Sequence, residues 1–314
     1  MDVVHHLFII FMSCLALWKG AAWLVDASSR IAKRMGISEL VIGLTVVAFG
    51  TSAPEFAVTI GAALRGEMDI SVATIIGSNI FNIGFILGGC AIVTTIRINR
   101  SIVWRDGLLL FVITAVLVGM LWDQTLSRPE GFILVATLVG YLLFLFWKRS
   151  VPLEEEISQE KATWKDGSLL MMGLGLILAG QYFLVDSAVQ LAEMIGMSKW
   201  LIGLTIVAAG TSIPEFAISM IAIIKKHHGI AAGNLIGSNL FNTLGVLGLA
   251  GFIQPLETTQ GSSLVISVIA QLALTFVVLI FLWTHSKLTR WEGVVLILLS
   301  LIIWGYNFTT TAAT

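Results

Sequence analysis

Residues 41–60 read VIGLTVVAFGTSAPEFAVTI, and residues 201–220 read LIGLTIVAAGTSIPEFAISM. A second pair follows at the same offset of 160, with ATIIGSNIFN at 73–82 and GNLIGSNLFN at 233–242. Two long matches in one register, without a gap, indicate an internal duplication rather than shared hydrophobicity. The repeat therefore predicts a fold made of two related halves.

The composition places both halves in a membrane. Hydrophobic residues make up 57% of the 314, charged residues only 12%, and the mean hydropathy is +0.95. In a soluble globular protein, roughly a quarter of the residues are charged. The net charge of -1 is uninformative in itself, because in a membrane protein the placement of the charges carries the signal. We do not expect nucleic acid as a partner of such a protein. We expect the lipid bilayer and inorganic cations to be the partners.

Apolar stretches of about 20 residues mark candidate spanning helices. Each half contains five of them, which predicts an all-α integral membrane protein of about ten helices. The predicted spans are 4–25, 40–64, 70–93, 102–122, 131–147, 168–189, 200–224, 230–253, 263–283 and 293–308. The domains expected from this division are a first five-helix repeat at 1–147, a short charged cytoplasmic linker at 148–166 and a second repeat at 167–314.

Basic residues predict the orientation of the chain. With both termini outside, about fourteen Lys and Arg fall in cytoplasmic loops, whereas external loops hold only Arg65, Arg128 and Lys199. Cytoplasmic loops are the ones enriched in Lys and Arg. Five helices per half is an odd number, so the halves run antiparallel, and such inverted repeats are typical of secondary transporters with a site near the midplane. We expect a multi-pass protein of the plasma or inner membrane.

Two acidic residues, Glu55 and Glu215, occupy equivalent positions in otherwise uncharged spans. A carboxylate there costs several kcal/mol unless it is compensated, so intramembrane charges are commonly functional. Pro54 and Pro214 precede them, and each removes a backbone donor and frees carbonyls of the previous turn. We expect both Glu residues near the middle of their helices, beside exposed carbonyl oxygens.

The neighbouring polar residues supply more oxygen. Thr51 and Ser52 precede Glu55 by four and three residues, which places them on its helix face. Ser78 and Asn82 share a face of the partner helix, and the second repeat matches all four with Thr211, Ser212, Ser238 and Asn242. Oxygen ligands without His or thiolate favour hard cations such as Ca²⁺. The alternative is that the GTS and GSN segments are small-residue helix contacts and that both Glu residues are protonated and structural. We assign the packing role to Gly43, Gly77, Gly203 and Gly237.

GTSAPEF and GTSIPEF, each followed by GSNxFN, resemble the paired α-repeats of the calcium/cation exchanger superfamily, especially its sodium/calcium exchangers. The resemblance covers essentially the whole chain. It implies an antiporter in which the Glu pair binds Ca²⁺ centrally and flanking sites bind Na⁺, while the first and sixth helices slide against the other eight. No cofactor is implied beyond the transported ions.

The resemblance also implies the ligands. The central Ca²⁺ or Na⁺ site would consist of Glu55, Glu215, Thr51, Thr211, Asn82 and Asn242, with both Glu residues and the two Thr carbonyls as metal ligands. The flanking Na⁺ sites would consist of Ser52, Ser78 and the Ala48 carbonyl, and of Ser212, Ser238 and the Ala208 carbonyl. Asn242 stands where potassium-coupled members have Asp, which argues against potassium coupling.

Other functions are less well supported. A Ca²⁺/H⁺ or other divalent-cation antiporter is the alternative within the family. An intramembrane enzyme is disfavoured because HExxH and Ser/His arrangements are absent. A channel is disfavoured because a channel usually builds its filter from symmetric subunits, whereas this repeat is antiparallel within one chain. A single chain should suffice for transport, and the oligomeric state is left open.

Five residues outside the repeat pattern carry smaller expectations. Lys19 is predicted to snorkel, to pair with Asp26 or to tune the cavity. His227 and His228 are predicted to be solvated in a cytoplasmic loop. Cys14 and Cys90, with no paired spacing, are predicted to be small core residues.

Overall fold

The computed structural model describes residues 3–97, 103–148, 165–196, 206, 208–258, 262–285 and 287–311. The chain forms two compact units, and each combines segments from both halves of the sequence. Unit 1 comprises Met1–Pro54 and Arg149–Asn234, and unit 2 comprises Glu55–Lys148 and Leu235–Thr314. The division into repeats at 147 and 166 stays a prediction.

Helices account for most of the described residues, and two pairs of very short strands accompany them. The helices are α1 Val3–Met35, α2 Glu39–Thr51, α3 Ala53–Leu64, α4 Met68–Val93, α5 Val103–Asp123, α6 Arg128–Lys148, α7 Lys165–Met194, α8 Ala208–Thr211, α9 Ile213–Ile224, α10 His228–Ile253, α11 Ser262–His285 and α12 Arg290–Thr311. The strands are β1 Ile96–Arg97, β2 Thr125–Leu126, β3 Leu256–Glu257 and β4 Lys287–Leu288.

Seven of the described helices are long and apolar enough to cross a membrane, and the bent pair α2 and α3 makes an eighth. Eight of the ten predicted spans match these helices in order, and the predicted span 293–308 falls on α12, which is not one of them. α1 and α7 extend well beyond the predicted 4–25 and 168–189, because polar residues near their ends continue the helix. Part of the predicted span 200–224 lies outside the described residues.

Glycines bring α1 and α7 together in unit 1. A Cβ on Gly20 would lie 2.8 Å from the carbonyl oxygen of Gly173, and a Cβ on Gly173 would lie 2.8 Å from that of Gly20. A Cβ on Gly180 would lie 3.1 Å from the carbonyl oxygen of Ser13. Small residues of this kind allow membrane helices to approach backbone to backbone. The two long helices therefore pack as one closely fitted pair.

Two polar contacts between distant segments of unit 1 correct two expectations. Asp26 pairs with Lys225, whose Nζ lies 2.6 Å from Oδ1, and not with Lys19, which lies over the ring of Trp23. His227 is not solvated: its Nδ1 lies 2.8 Å from Oε1 of the buried Glu39. Both partners are far away in sequence, so helical spacing could not reveal them.

Unit 2 is held together by glycine contacts and by the strands. Gly131 of α6 faces Gly248 of α10, and Gly88 of α4 faces Gly293 of α12, again at distances that leave no space for a side chain. β1 pairs with β4 and β2 with β3, both antiparallel. The strands hydrogen-bond loop segments that follow the spanning helices and so fix where those helices end.

The remaining small expectations divide. Gly43 is a packing residue, since its Cβ would lie 2.9 Å from the carbonyl oxygen of Ile230 within unit 1, whereas Gly77 has nothing within 4 Å and is not. Cys90 is buried as predicted, but Cys14 is exposed, because it faces outward from α1. Gly203 lies outside the described residues.

Candidate cation site

The span that carries Glu55 is broken at Ser52, directly after its Gly50-Thr51 pair. α2 ends at Thr51, Ser52 leaves the helical region with φ -78° and ψ 9°, and α3 runs on at an angle of 49°. Pro54 lies in the first turn of α3, where its missing N–H is tolerated. The proline thus starts a new helix instead of kinking a continuous one.

Glu55 consequently lies in the first turn of a helix, fully buried, and not in the middle of one as predicted. The second repeat does the same. Ser212 interrupts the helix with φ -90° and ψ 7°, and Glu215 lies buried in the first turn of α9. The positive end of a helix dipole stabilises a carboxylate at that position. This compensates each buried charge in part and leaves it suited to binding a cation.

Within unit 1, polar groups from both repeats meet. The hydroxyl of Ser52 donates a hydrogen bond to Oε1 of Glu215 over 3.3 Å. Thr51 Oγ1 donates to Oδ1 of Asn234 over 3.2 Å, and Nδ2 of Asn234 donates to the backbone oxygen of Glu215 over 3.3 Å. Six predicted site residues lie buried in this unit. They are Ala48, Thr51, Ser52, Thr211, Ser212 and Glu215. The side chain of Ala208 lies outside the described part of the chain.

Unit 2 contains a second buried polar cluster around Asn242. Its Nδ2 donates to Oδ1 of Asn79 over 3.2 Å, and Asn79 Nδ2 donates in turn to Oγ1 of Thr243 over 2.9 Å. Among the described residues, Oδ1 of Asn242 and both amide atoms of Asn82 have no hydrogen-bond partner. A buried polar atom normally has a partner. An amide oxygen held in this state, with its nitrogen engaged elsewhere, is a suitable ligand for a cation.

The predicted site residues that lie in unit 2 are buried as well. They are Glu55, Ser78, Asn82, Ser238 and Asn242. Two of them adjoin irregular turns: Asn82 begins a π-helical turn at Asn82–Ile86, and Asn242 lies in another at Phe241–Leu247. Such turns within α-helices are frequent at functional sites.

The sequence reasoning missed three residues of these buried polar clusters: Asn79, Asn234 and Thr243. Asn79 could have been found, since it belongs to the GSN motif. Asn234 and Thr243 could not be found from the repeat, because the equivalent positions carry Thr74 and Ile83. Their role depends on contacts between distant segments.

Both clusters contain the same type of donor. The unit 1 cluster contains carboxylate, amide, hydroxyl and backbone carbonyl oxygens, and the unit 2 cluster contains amide and hydroxyl oxygens. Such oxygens suit Na⁺ and Ca²⁺. The family model described as "Sodium/calcium exchanger protein" matches residues 5–147 and 167–308, that is, nearly all of both repeats. The chain belongs to the sodium/calcium exchanger family.

Individual relatives of this family member cover most of its length. It is 39% identical to the putative antiporter CaxA of Alkalimonas amylolytica, over 81% of this chain and 82% of that one. It is 30% identical to the sodium/calcium exchanger MaX1 of Methanosarcina acetivorans, over 94% and 96%. A solved structure of the sodium–calcium exchanger NCX_Mj, soaked with Na⁺ and Ca²⁺, matches with a TM-score of 0.84 and 28% identity, over 96% and 98%. The predicted fold class, a helical membrane protein with two repeats, is confirmed.

Proposed function

We propose that this family member is a secondary antiporter that exchanges Ca²⁺ for Na⁺ by alternating access. The observation that carries the proposal is the equivalent placement of Glu55 and Glu215, each buried in the first turn of a helix that follows a break. An ionised carboxylate buried among neutral oxygen atoms needs a compensating positive charge, which a bound cation supplies. The choice of Na⁺ and Ca²⁺ follows the similarity to MaX1 and NCX_Mj, which are both named sodium/calcium exchangers.

In this proposal Glu55 and Glu215 bind Ca²⁺ together, with the carbonyl oxygens of Thr51 and Thr211. Asn82 and Asn242 complete the central site. The flanking Na⁺ sites use Ser52, Ser78 and Ala48 in one case, and Ser212, Ser238 and Ala208 in the other. The orphaned amide oxygen of Asn242 supports this assignment.

The exchange should drive Ca²⁺ out of the cell. In this proposal both termini face the outside of the cell membrane, and one chain carries the complete set of ligands. Because Na⁺ is more concentrated outside, its inward gradient drives Ca²⁺ extrusion.

Purified protein in liposomes tests the driving ion. Vesicles loaded with Na⁺, with choline at equal osmolarity, or with acid buffer are diluted into ⁴⁵Ca²⁺. We expect uptake only in the Na⁺-loaded vesicles, because Na⁺ must leave for Ca²⁺ to enter. Uptake driven by the acid interior alone would instead establish a Ca²⁺/H⁺ antiporter. The name of the relative CaxA, a putative antiporter, states neither of the exchanged ions.

Charge counting predicts that the exchange is electrogenic. Two ionised Glu give the central site a charge of -2, which one Ca²⁺ neutralises, whereas three Na⁺ leave a charge of +1. Moving one elementary charge across the membrane is worth about 2.3 kcal/mol per 100 mV. With valinomycin and a K⁺ gradient, a negative potential on the side that Na⁺ leaves should therefore slow the Na⁺-driven uptake of Ca²⁺. Uptake that does not respond to the potential would contradict a 3:1 exchange.

A further inference from the structure

Asn234 connects two elements that carry proposed ligands. Its side chain is fully buried. Nδ2 donates to Oγ of Ser219 over 3.0 Å and to the backbone oxygen of Glu215 over 3.3 Å. Since that carbonyl can only accept, these bonds fix the amide so that Oδ1 points toward Thr51.

Close packing of α2 against the first half of α10 makes this contact possible. A Cβ on Gly233 would lie 2.6 Å from the carbonyl oxygen of Leu40 and 3.0 Å from the Cα of Gly43. Two glycines thus allow the backbones to touch beside Asn234, and the next turns of α2 bring Thr51 within 3.2 Å of its amide oxygen.

The carbonyl oxygen of Ala48, a proposed Na⁺ ligand, already accepts two hydrogen bonds. The N–H of Ser52 donates to it over 3.0 Å, and the hydroxyl of Thr51 donates over 3.1 Å. A carbonyl oxygen has two lone pairs. It can bind a cation only when one of the two donors turns away, and the N–H is held by the backbone.

The hydroxyl of Thr51 is able to turn away because it has one proton and two acceptors within reach, the Ala48 carbonyl and Oδ1 of Asn234. We infer that Asn234 is a positioning residue for Na⁺: its Oδ1 accepts the hydrogen bond of the Thr51 hydroxyl and so releases the Ala48 carbonyl for the ion. The inference rests on the proposed function, which supplies Na⁺ as a ligand of that carbonyl.

The first repeat has no equivalent of this amide. Its matching residue is Thr74, whose hydroxyl donates to the carbonyl oxygen of Ile70 over 2.7 Å. The two flanking sites should therefore differ in how their carbonyl ligand is released. Thr74→Ala removes a polar group at the equivalent position and serves as the matched control.

Na⁺ titrations of purified protein test the inference. Binding is followed through the thermal unfolding temperature at increasing Na⁺, and transport through Na⁺-driven ⁴⁵Ca²⁺ uptake. Asn234→Leu and Asn234→Ala should raise the half-saturating Na⁺ concentration by about three- to tenfold, the range expected from one lost hydrogen bond. The Ca²⁺ requirement measured without Na⁺ should change less, and Thr74→Ala should match the wild type.

A second substitution separates this role from a merely structural one. Thr51→Val removes the competing hydroxyl, so in the Asn234→Leu background it should return the half-saturating Na⁺ concentration toward the wild-type value, and alone it should lower it. An unchanged Na⁺ requirement in both Asn234 variants, or a rise that Thr51→Val leaves intact, would overturn the inference. A wild-type protein that does not respond to Na⁺ would instead refute the proposed function itself.

Discussion

Replacing Glu215 by Gln is expected to abolish Ca²⁺ transport, with a loss of about 100-fold or more, because removing one partner of a buried charge pair costs about 3–5 kcal/mol. Gln keeps the shape of the side chain and an oxygen at the position that accepts the hydrogen bond from Ser52. The loss would therefore report the missing charge. The same result is expected for Glu55→Gln, and both are measured as the initial rate of ⁴⁵Ca²⁺ uptake.

Glu130→Gln provides the control for this experiment. Glu130 is also an acidic residue in the first turn of a helix, but it accepts hydrogen bonds from the backbone N–H and the hydroxyl of Ser127, which directly precedes α6. Its substitution should leave transport close to that of the wild type. Wild-type rates in Glu215→Gln or Glu55→Gln, in protein that is folded and inserted, would contradict the assignment of these carboxylates.

The second large effect concerns stability and comes from Gly131. A Cβ at this position would lie 2.4 Å from the nitrogen of Phe252, 2.6 Å from the oxygen of Gly248 and 2.8 Å from the carbonyl carbon of Gly251. All three are backbone atoms, so α6 and α10 would have to separate. Gly131→Ala should lower the free energy of unfolding by about 1–3 kcal/mol or more, the usual cost of overpacking.

Gly140 offers a matched comparison on the same helix. A Cβ there meets nothing within 4 Å. Gly140→Ala should leave the stability unchanged or raise it by up to about 1 kcal/mol, because Ala favours the helix over Gly. Unfolding in SDS, followed by tryptophan fluorescence, measures both variants. Equal stabilities would show that the close contact of α6 with α10 does not form.

Much of this architecture could be predicted from the duplication. The paired GTS-PEF segments and the apolar stretches gave the order of the spans, and the prolines beside Glu55 and Glu215 indicated disturbed helices. The location of the disturbance was wrong in one respect: each break falls at the serine before the proline, so the carboxylates lie in a first helical turn. Pro prefers such a position, and this preference outweighed its effect as a kink.

Contacts between distant segments were beyond sequence reasoning. Lys225 contacts Asp26, and His227 contacts Glu39, although nothing in the local sequence pattern favours either pair. Asn234 was missed for a related reason, since its importance depends on the glycine contact that brings α2 against α10. A repeat identifies what two halves share, whereas these features belong to one half only.

Competition between the two ions for one set of ligands can be measured directly. Purified protein is titrated with Ca²⁺ in a calorimeter at several Na⁺ concentrations, for the wild type and for Glu215→Gln. The account predicts that Na⁺ raises the apparent Kd for Ca²⁺ steeply, with more than one Na⁺ displacing each Ca²⁺, and that the variant loses the binding heat. Ca²⁺ binding that is indifferent to Na⁺, or that persists unchanged in Glu215→Gln, would contradict the proposal that both ions use the buried carboxylates.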